Sequence, residues 1–252
     1  MKYFAELSYK GTDYCGWQKQ PQDPSVQETL EDGFTTILGK EIEVMGCGRT
    51  DTGVHAKQYF AHFIYNGEFP QGFLRRLNKF LPKDISIHRI VEVAPDAHAR
   101  YDAFHRAYEY HIELQKNPFT QETALQYSYP HMLDLEAMQK AASLLLEYEA
   151  FFPFCKTKTD VKTMRCELRR AEWVKNDHQL IFHIASNRFL RGMVRLIVGM
   201  CLNVGLGKTD VEEVKEAMDQ QVRLKKSYSV PPQGLFLTDI RYPEDIWKQP
   251  LF

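Results

Sequence analysis

The chain has 252 residues, of which 44% are hydrophobic and 26% are charged, and its formal net charge at pH 7 is −1. This length and composition are typical of a globular protein with one large or two small hydrophobic cores. No apolar run is long enough to span a membrane, so we predict no membrane association. The near-neutral charge excludes a global basic field, so any nucleic acid must bind to local basic surfaces.

The five cysteines are odd in number and scattered, and they include no Cys-x-x-Cys pair. This pattern argues against a disulfide framework and against a zinc knuckle. The first residues alternate like a strand and lack the apolar core of a signal peptide. We therefore predict a cytoplasmic protein.

Hydrophobic periodicity predicts one order of elements, β-α-β-β-α-β, twice along the chain. The first copy has strands at 2–9, 41–46, 58–65 and 84–93 and helices at 25–38 and 70–80. The second copy has strands at 106–114, 164–175, 179–185 and 235–242 and helices at 134–146 and 189–203. An additional acidic helix is predicted at 210–219.

This order predicts an α+β fold with two ferredoxin-like (RRM-like) halves, residues 1–100 and 101–252. The halves would join into one mixed, mainly antiparallel sheet, with helices on one face and loops over a central cleft. The open face would suit RNA. Sequence self-similarity between the halves is negligible, so an ordinary pair of α+β domains remains an alternative.

Residues 46–56, Gly-Cys-Gly-Arg-Thr-Asp-Thr-Gly-Val-His-Ala, join two predicted strands. Three glycines within eight positions predict a tight loop that holds Arg49, Asp51 and His55 at fixed offsets. An isolated Asp in such a loop commonly caps a turn. A carboxylate held in a loop can also act as a nucleophile or a base.

Two later stretches carry aromatic and basic side chains. Alternation places Arg106, Tyr108 and Tyr110 on one face of a strand, where a tyrosine is either half-buried in the sheet or stacked on a base. Arg188, just before the predicted helix 189–203, and Arg191 and Arg195 within it recur at steps of three and four. This spacing predicts an arginine stripe that faces solvent or phosphate.

Residues 48–55 closely resemble the signature loop of the tRNA pseudouridine synthase A family. Four further stretches resemble motifs of that family, in the family's order. They are residues 9–21, Arg-x-Tyr-x-Tyr from Arg106, Met-Val-Arg ending at Arg195, and Pro-x-x-Gly-Leu ending at Leu235. The sequence departs from the family at Lys10, usually acidic, and at Thr52, usually Ala.

The resemblance implies that the chain isomerises uridine to pseudouridine at positions 38, 39 and 40 of the tRNA anticodon stem-loop. It implies that Asp51 is the catalytic nucleophile or base and that Arg195 pairs with it, favouring the ionised carboxylate. Tyr108 would stack on the uracil and assist proton transfer, and Leu235 would lie against the base or in the core. Arg49 would fill the space left by the flipped nucleotide.

The implied chemistry requires no metal or other cofactor, and the implied assembly is a homodimer. Three routes stay open for Asp51: attack at C1′, attack at C6, or abstraction of the 2′ proton. Two other classes also stay open. A non-catalytic RNA-binding module would use the same sheet and the basic loop at 151–163, while a metal-dependent hydrolase would use Asp51 and His55.

Overall fold

The structure is a computed structural model that describes residues 1–156 and 163–250. Within these residues the strands are β1 Lys2–Tyr9, β2 Met45–Gly46, β3 His55–Ile64, β4 Ile85–Val93, β5 His105–Glu113, β6 Leu125–Gln126, β7 Leu168–Asn176, β8 Gln179–Ser186, β9 Leu235–Arg241 and β10 Trp247–Pro250. The α-helices are α1 Val26–Leu38, α2 Phe73–Phe80, α3 Leu135–Leu144, α4 Met193–Gly205 and α5 Val211–Asp219. The predicted α+β class is confirmed.

The chain divides into two compact units. The first unit consists of Met1–His105 and Phe236–Phe252, and the second consists of Arg106–Leu235. This division differs from the sequence halves 1–100 and 101–252, because the C-terminal segment returns to the first unit. The C-terminal strands β9 and β10 therefore complete a sheet that was begun by the first residues of the chain.

The sheet of the first unit has the strand order β10-β4-β1-β3-β9, and β2 pairs with β3. All pairings are antiparallel except that of β3 with β9, where His55 lies opposite Phe236. β1 is an interior strand of this sheet, because β3 pairs along one of its edges and β4 along the other. Its side chains are buried on both faces of the sheet.

The helices α1 and α2 cover one face of this sheet. Ser25 caps α1 by accepting a hydrogen bond from the Glu28 N–H (3.2 Å), as the capping pattern predicted. The buried Phe34 of α1 packs against Phe63 of β3, with ring centroids 4.6 Å apart. The opposite face is not open along β1, because Tyr242 and Trp247 pack against Phe4.

The second unit contains the antiparallel strand order β5-β8-β7, with the short β6 parallel to β5. The helix α3 packs against β7 and α4, and α5 packs against α3. Asp210 caps α5 in a complete capping box with Glu213. Nearly all residues of α4 are buried, including Ile197 and Cys201.

Several predicted elements are shorter in the structure: the strand predicted at 164–175 begins at Leu168 and the helix predicted at 70–80 begins at Phe73. Two further differences have a clear local cause. The predicted strand 41–46 pairs only at Met45–Gly46, because the Ile42 and Val44 N–H groups bond to side chains of α1 instead (3.1 Å each). The predicted helix 189–203 begins at Met193, because Gly192 adopts the left-handed conformation at its N-terminus. Arg188 and Arg191 therefore precede the helix, and the predicted helical arginine stripe is wrong.

Among the described residues, no helix is both long and apolar enough to cross a membrane. All five cysteines are free.

Candidate active site

Asp51 lies half-buried at the centre of the loop between β2 and β3, residues 47–54, called here the Asp51 loop. The Val54 N–H donates to the Asp51 carbonyl oxygen (3.2 Å), which closes a turn. Gly53 has φ +75°, a conformation that favours glycine. Arg49 is exposed at the same loop. The tight glycine loop predicted from the sequence is therefore present.

A second loop, residues 10–24 and called here the N-terminal loop, holds the Asp51 loop in place together with the end of β1. The Tyr9 hydroxyl is 2.8 Å from the hydroxyl of Thr50, the residue before Asp51. The Trp17 N–H donates to the Thr50 carbonyl oxygen, and the Gly53 N–H donates to the carbonyl oxygen of Tyr14 (3.3 Å each). Asp51 is thus fixed by hydrogen bonds on both sides.

Two glycines of the N-terminal loop allow this close approach. A Cβ at Gly16, which has φ +86°, would lie 2.4 Å from the Thr50 carbonyl oxygen. A Cβ at Gly11 would lie 2.0 Å from the Val54 carbonyl oxygen. Any side chain at either position would push the two loops apart. The two glycines therefore allow the N-terminal loop to hold Asp51 in position.

His55 is buried and its Nδ1 accepts a hydrogen bond from the Gly11 N–H (2.9 Å). Its ring stacks on Phe236 at a centroid distance of 4.7 Å. This nitrogen is committed to the backbone, which argues against the hydrolase alternative with Asp51 and His55 as metal ligands. The described residues contain no cluster of three His, Cys, Asp or Glu that could hold a metal ion.

An aromatic pair supports the start of the Asp51 loop. Trp17 and Tyr59 stack with ring centroids 4.2 Å apart, and the Tyr59 hydroxyl donates to the Gly48 carbonyl oxygen. Gly46 leaves room for both rings, since a Cβ there would lie 2.2 Å from the Tyr59 hydroxyl oxygen. Sequence reasoning missed Tyr9, Trp17, Thr50 and Tyr59 as supports. The nearby glycines and the resemblance of residues 9–21 to a family motif were the available signals for these supports.

In the second unit, Tyr108 and Tyr110 lie on the same face of β5 in different surroundings. Tyr108 is half-buried and meets Phe189 edge-on, with centroids 5.2 Å apart. Tyr110 is fully buried, and its hydroxyl donates to the Pro231 carbonyl oxygen (2.8 Å). Burial raises the pKa of the Tyr110 hydroxyl above its ordinary value. Tyr110 is therefore structural, while Tyr108 retains accessible ring surface.

Arg195 is half-buried in the first turn of α4. Its Nε donates to the Val230 carbonyl oxygen (2.7 Å), and the Val230 N–H donates back to the Arg195 carbonyl oxygen (3.2 Å). This reciprocal pair fixes the direction of the guanidinium. It also ties the Met-Val-Arg motif to the segment that leads into Leu235.

Leu235 is buried at the start of β9 and follows a 3-10 turn at Pro232–Gly234. A Cβ at Gly234 would lie 2.7 Å from the His111 carbonyl oxygen, so this turn packs closely on β5. The three motifs of the second unit are thus held together by contacts at or next to Tyr110, Arg195 and Leu235.

Arg49 and Asp51 belong to the first unit, so the pairing of Asp51 with Arg195 stays a prediction. Lys158 and Lys162 of the loop 151–163 lie outside the described residues.

The comparison with known proteins agrees with this set of motifs. A family model described as tRNA pseudouridine synthase matches residues 5–102 and 142–243. The match and the α+β fold define an isomerase of the pseudouridine synthase class.

Curated relatives narrow the assignment further. A tRNA pseudouridine synthase A of Bacteroides fragilis is 44% identical over 250 residues, covering 98% of each chain. That of Bacteroides thetaiotaomicron is 45% identical, covering 98% of this chain and 93% of the relative. That of Caldicellulosiruptor bescii is 35% identical, covering 94% and 97%. The chain belongs to the tRNA pseudouridine synthase A family.

Proposed function

We propose that the protein converts uridine to pseudouridine at positions 38, 39 and 40 in the anticodon stem-loop of tRNA. The observation that carries this proposal is the Asp51 loop, in which residues before and after Asp51 are held by hydrogen bonds, in a chain of this family. A fixed carboxylate costs little reorganisation during reaction, which is what nucleophilic or base catalysis requires. A non-catalytic RNA-binding module would have no need of a carboxylate held in place in this way.

The reaction is an isomerisation, so no atom is gained or lost overall. The C1′–N1 bond breaks, the base turns, and a bond forms between C1′ and C5. The C5 proton leaves, and N1 is protonated. All three routes for Asp51 require an ionised carboxylate, and none requires a redox step. The target nucleotide must leave the helical stack to reach Asp51.

The other site residues have supporting roles in this proposal. Arg195, oriented by Val230, pairs with Asp51 and favours its ionised form. Tyr108 stacks on the uracil and assists removal of the C5 proton, and Leu235 lies against the base. Arg49 is exposed beside Asp51 and fills the space that the flipped nucleotide vacates.

The finer architecture is also part of the proposal. We infer ferredoxin-like halves joined in one sheet, and the order β4-β1-β3-β2 within the first unit supports this. Five free cysteines support a reducing cytoplasmic location. A homodimer is proposed because a near-neutral chain must pool its basic residues to hold tRNA. Full activity of a species that sediments as a monomer would contradict the dimer.

The decisive experiment follows tritium released from tRNA labelled at uridine C5, together with mapping of pseudouridine in unmodified tRNA. Wild-type protein should release tritium and modify the anticodon arm. Asp51→Asn keeps the size of the side chain but removes its charge, so release should fall by at least about a thousandfold while tRNA still binds. Asp32→Asn, at an exposed position of α1, is the matched control and should behave like wild type. Continued release by a folded Asp51→Asn protein would remove Asp51 from catalysis.

A further inference from the structure

The helices α2 and α4 begin in the same way, although the two units share little sequence. Each follows a glycine in the left-handed conformation, Gly72 (φ 64°) and Gly192 (φ 72°), and neither helix has an acidic residue in its first turn. The third helical residue is an arginine in both, Arg75 and Arg195. The shared pattern is Phe-x-x-Gly, two apolar residues and Arg, at 69–75 and 189–195.

The aromatic contact before each helix is also repeated. Phe69 meets Tyr3 of β1 edge-on at 5.1 Å and 80°. Phe189 meets Tyr108 of β5 edge-on at 5.2 Å and 89°. The strands β1 and β5 are the first of their respective units. The surroundings of Arg195 therefore have a local counterpart around Arg75.

Arg75 belongs to a strongly basic surface, called here the α2 basic surface, that consists of Arg75, Arg76, Lys79 and Lys83. All four side chains are exposed. Residues 69–83 contain these four cations and no Asp or Glu, although the whole chain has a net charge of −1. The cations are therefore concentrated rather than evenly dispersed.

None of these four cations has a carboxylate partner within residues 1–156 and 163–250. By contrast, Arg165, Arg169 and Arg170 pair with Glu149, Glu167 and Glu172. An ordinary solvated face mixes both signs of charge. The α2 basic surface is complementary to a polyanion.

Helix stability does not account for Arg75 and Arg76. The helices α1, α3 and α5 all carry an acidic residue in the first turn, where the helix dipole favours negative charge. The same dipole disfavours arginine there. Lys79, in the last turn, is the one cation of α2 that the dipole favours.

The α2 basic surface is connected to the Asp51 loop through a short chain of hydrogen bonds. Asp84, which follows Lys83, accepts from the Tyr14 hydroxyl (2.8 Å) and from the Lys10 N–H (2.9 Å). Tyr14 in turn accepts from Gly53, two residues after Asp51. A polyanion that reaches Asp51 thus has a basic surface within the same unit.

We propose that the α2 basic surface binds the phosphate backbone of the RNA substrate, outside the nucleotide that is modified. The proposal rests on the proposed function, since it takes tRNA as the substrate. The cations supply affinity and register without reading the sequence of the RNA.

The test compares two variants that each remove three positive charges. In Arg75→Gln/Arg76→Gln/Lys79→Gln, the affinity for unmodified tRNA should fall about tenfold at 0.1 M salt, and the slope of log K against log salt should decrease by about 2–3. The rate of tritium release should show this loss in KM rather than in kcat. The control is Arg165→Gln/Arg169→Gln/Arg170→Gln, whose arginines are paired, and it should keep the wild-type slope.

Either of two results would overturn the proposal: an unchanged slope in the α2 variant, which would leave the surface for some other partner, or an equal loss in the control. Thermal unfolding should show that the α2 variant is at least as stable as wild type, because it removes two arginines that the dipole disfavours and one lysine that the dipole favours. A wild-type protein that binds tRNA but forms no pseudouridine would instead refute the proposed function, and the salt slopes would still test the α2 basic surface.

Discussion

At the scale of single residues, the Tyr9 hydroxyl supports the Asp51 loop, because it lies 2.8 Å from the hydroxyl of Thr50, the residue before Asp51. A displacement of about 1 Å at a catalytic group can lower a rate by about a hundredfold. The pair therefore matters through the position of Asp51 and not through contact with RNA.

Removing this hydroxyl should slow turnover. We expect Tyr9→Phe to lower kcat about tenfold with little change in KM for tRNA. Tyr14→Phe is the matched control, because it removes a tyrosine hydroxyl of the N-terminal loop that bonds to Asp84 instead. It should destabilise the protein by about 1 kcal/mol and leave kcat near the wild-type value. Equal kcat values for the two variants would contradict the positioning role.

A second prediction concerns His62, which lies against His98 (ring centroids 4.6 Å) and accepts from the Ala99 N–H (3.2 Å). Burial, followed by the charge of His98, lowers the pKa of His62 to about 4 from its ordinary value of 6.5. The unfolded chain therefore binds more protons between about pH 4 and 6.5, and stability should fall as the pH falls through that window. In His62→Gln, which keeps an acceptor, the urea midpoint should vary less between pH 7 and 5. If the urea midpoint of His62→Gln varied with pH as much as that of wild type, His62 would be excluded as the source of the pH dependence.

Sequence reasoning identified the residues of the proposed site but not their supports. Asp51, Tyr108, Arg195 and Leu235 stand in motifs that a resemblance can identify. The roles of Tyr9 and Thr50 depend on contacts between residues 41 positions apart, which no local pattern encodes. The helical arginine stripe failed for a related reason, since periodicity cannot detect that Gly192 delays the start of α4.

At the scale of elements, the best predictions were those with a strong local signal. The bounds of β1 match the predicted 2–9, and the Ser25 cap sets the start of α1. The predicted strand 41–46 shows the limit of alternation. Ile42 and Val44 are buried, but the Glu31 and Thr35 side chains accept the backbone hydrogen bonds that a neighbouring strand would have accepted. Tertiary partners thus override the local pattern.

The contact between the two loops can be tested at Gly16. Gly16→Ala and Gly39→Ala both place Ala at a positive φ, and this conformation alone should cost about 1 kcal/mol of stability in each case. Only Gly16 faces another backbone, because a Cβ at Gly39 meets no atom within 4 Å. We therefore expect Gly16→Ala to lose most tritium release while Gly39→Ala retains it. Similar release from both variants would mean that the N-terminal loop does not position Asp51.

At the scale of the whole molecule, the C-terminal segment is part of the first unit. β10 pairs with β4, and Trp247 packs on Phe4 and Phe60. Deleting residues 247–252 should therefore destabilise the first unit selectively. Hydrogen exchange should accelerate in β1 and β4 and stay near the wild-type rate in β7 and β8. Uniform acceleration would show that the two units unfold together.

The division of the chain has a consequence for its synthesis. Residues 106–235 are continuous and leave the ribosome as a complete unit, whereas residues 1–105 must wait for β9 and β10. At roughly 5–20 residues per second, this interval lasts on the order of 10 s. During it, the strand edges of β3 and β4 and the apolar ring of Phe4 lack their final cover. The nascent chain is thus an expected client of chaperones that bind exposed strand edges and apolar surface.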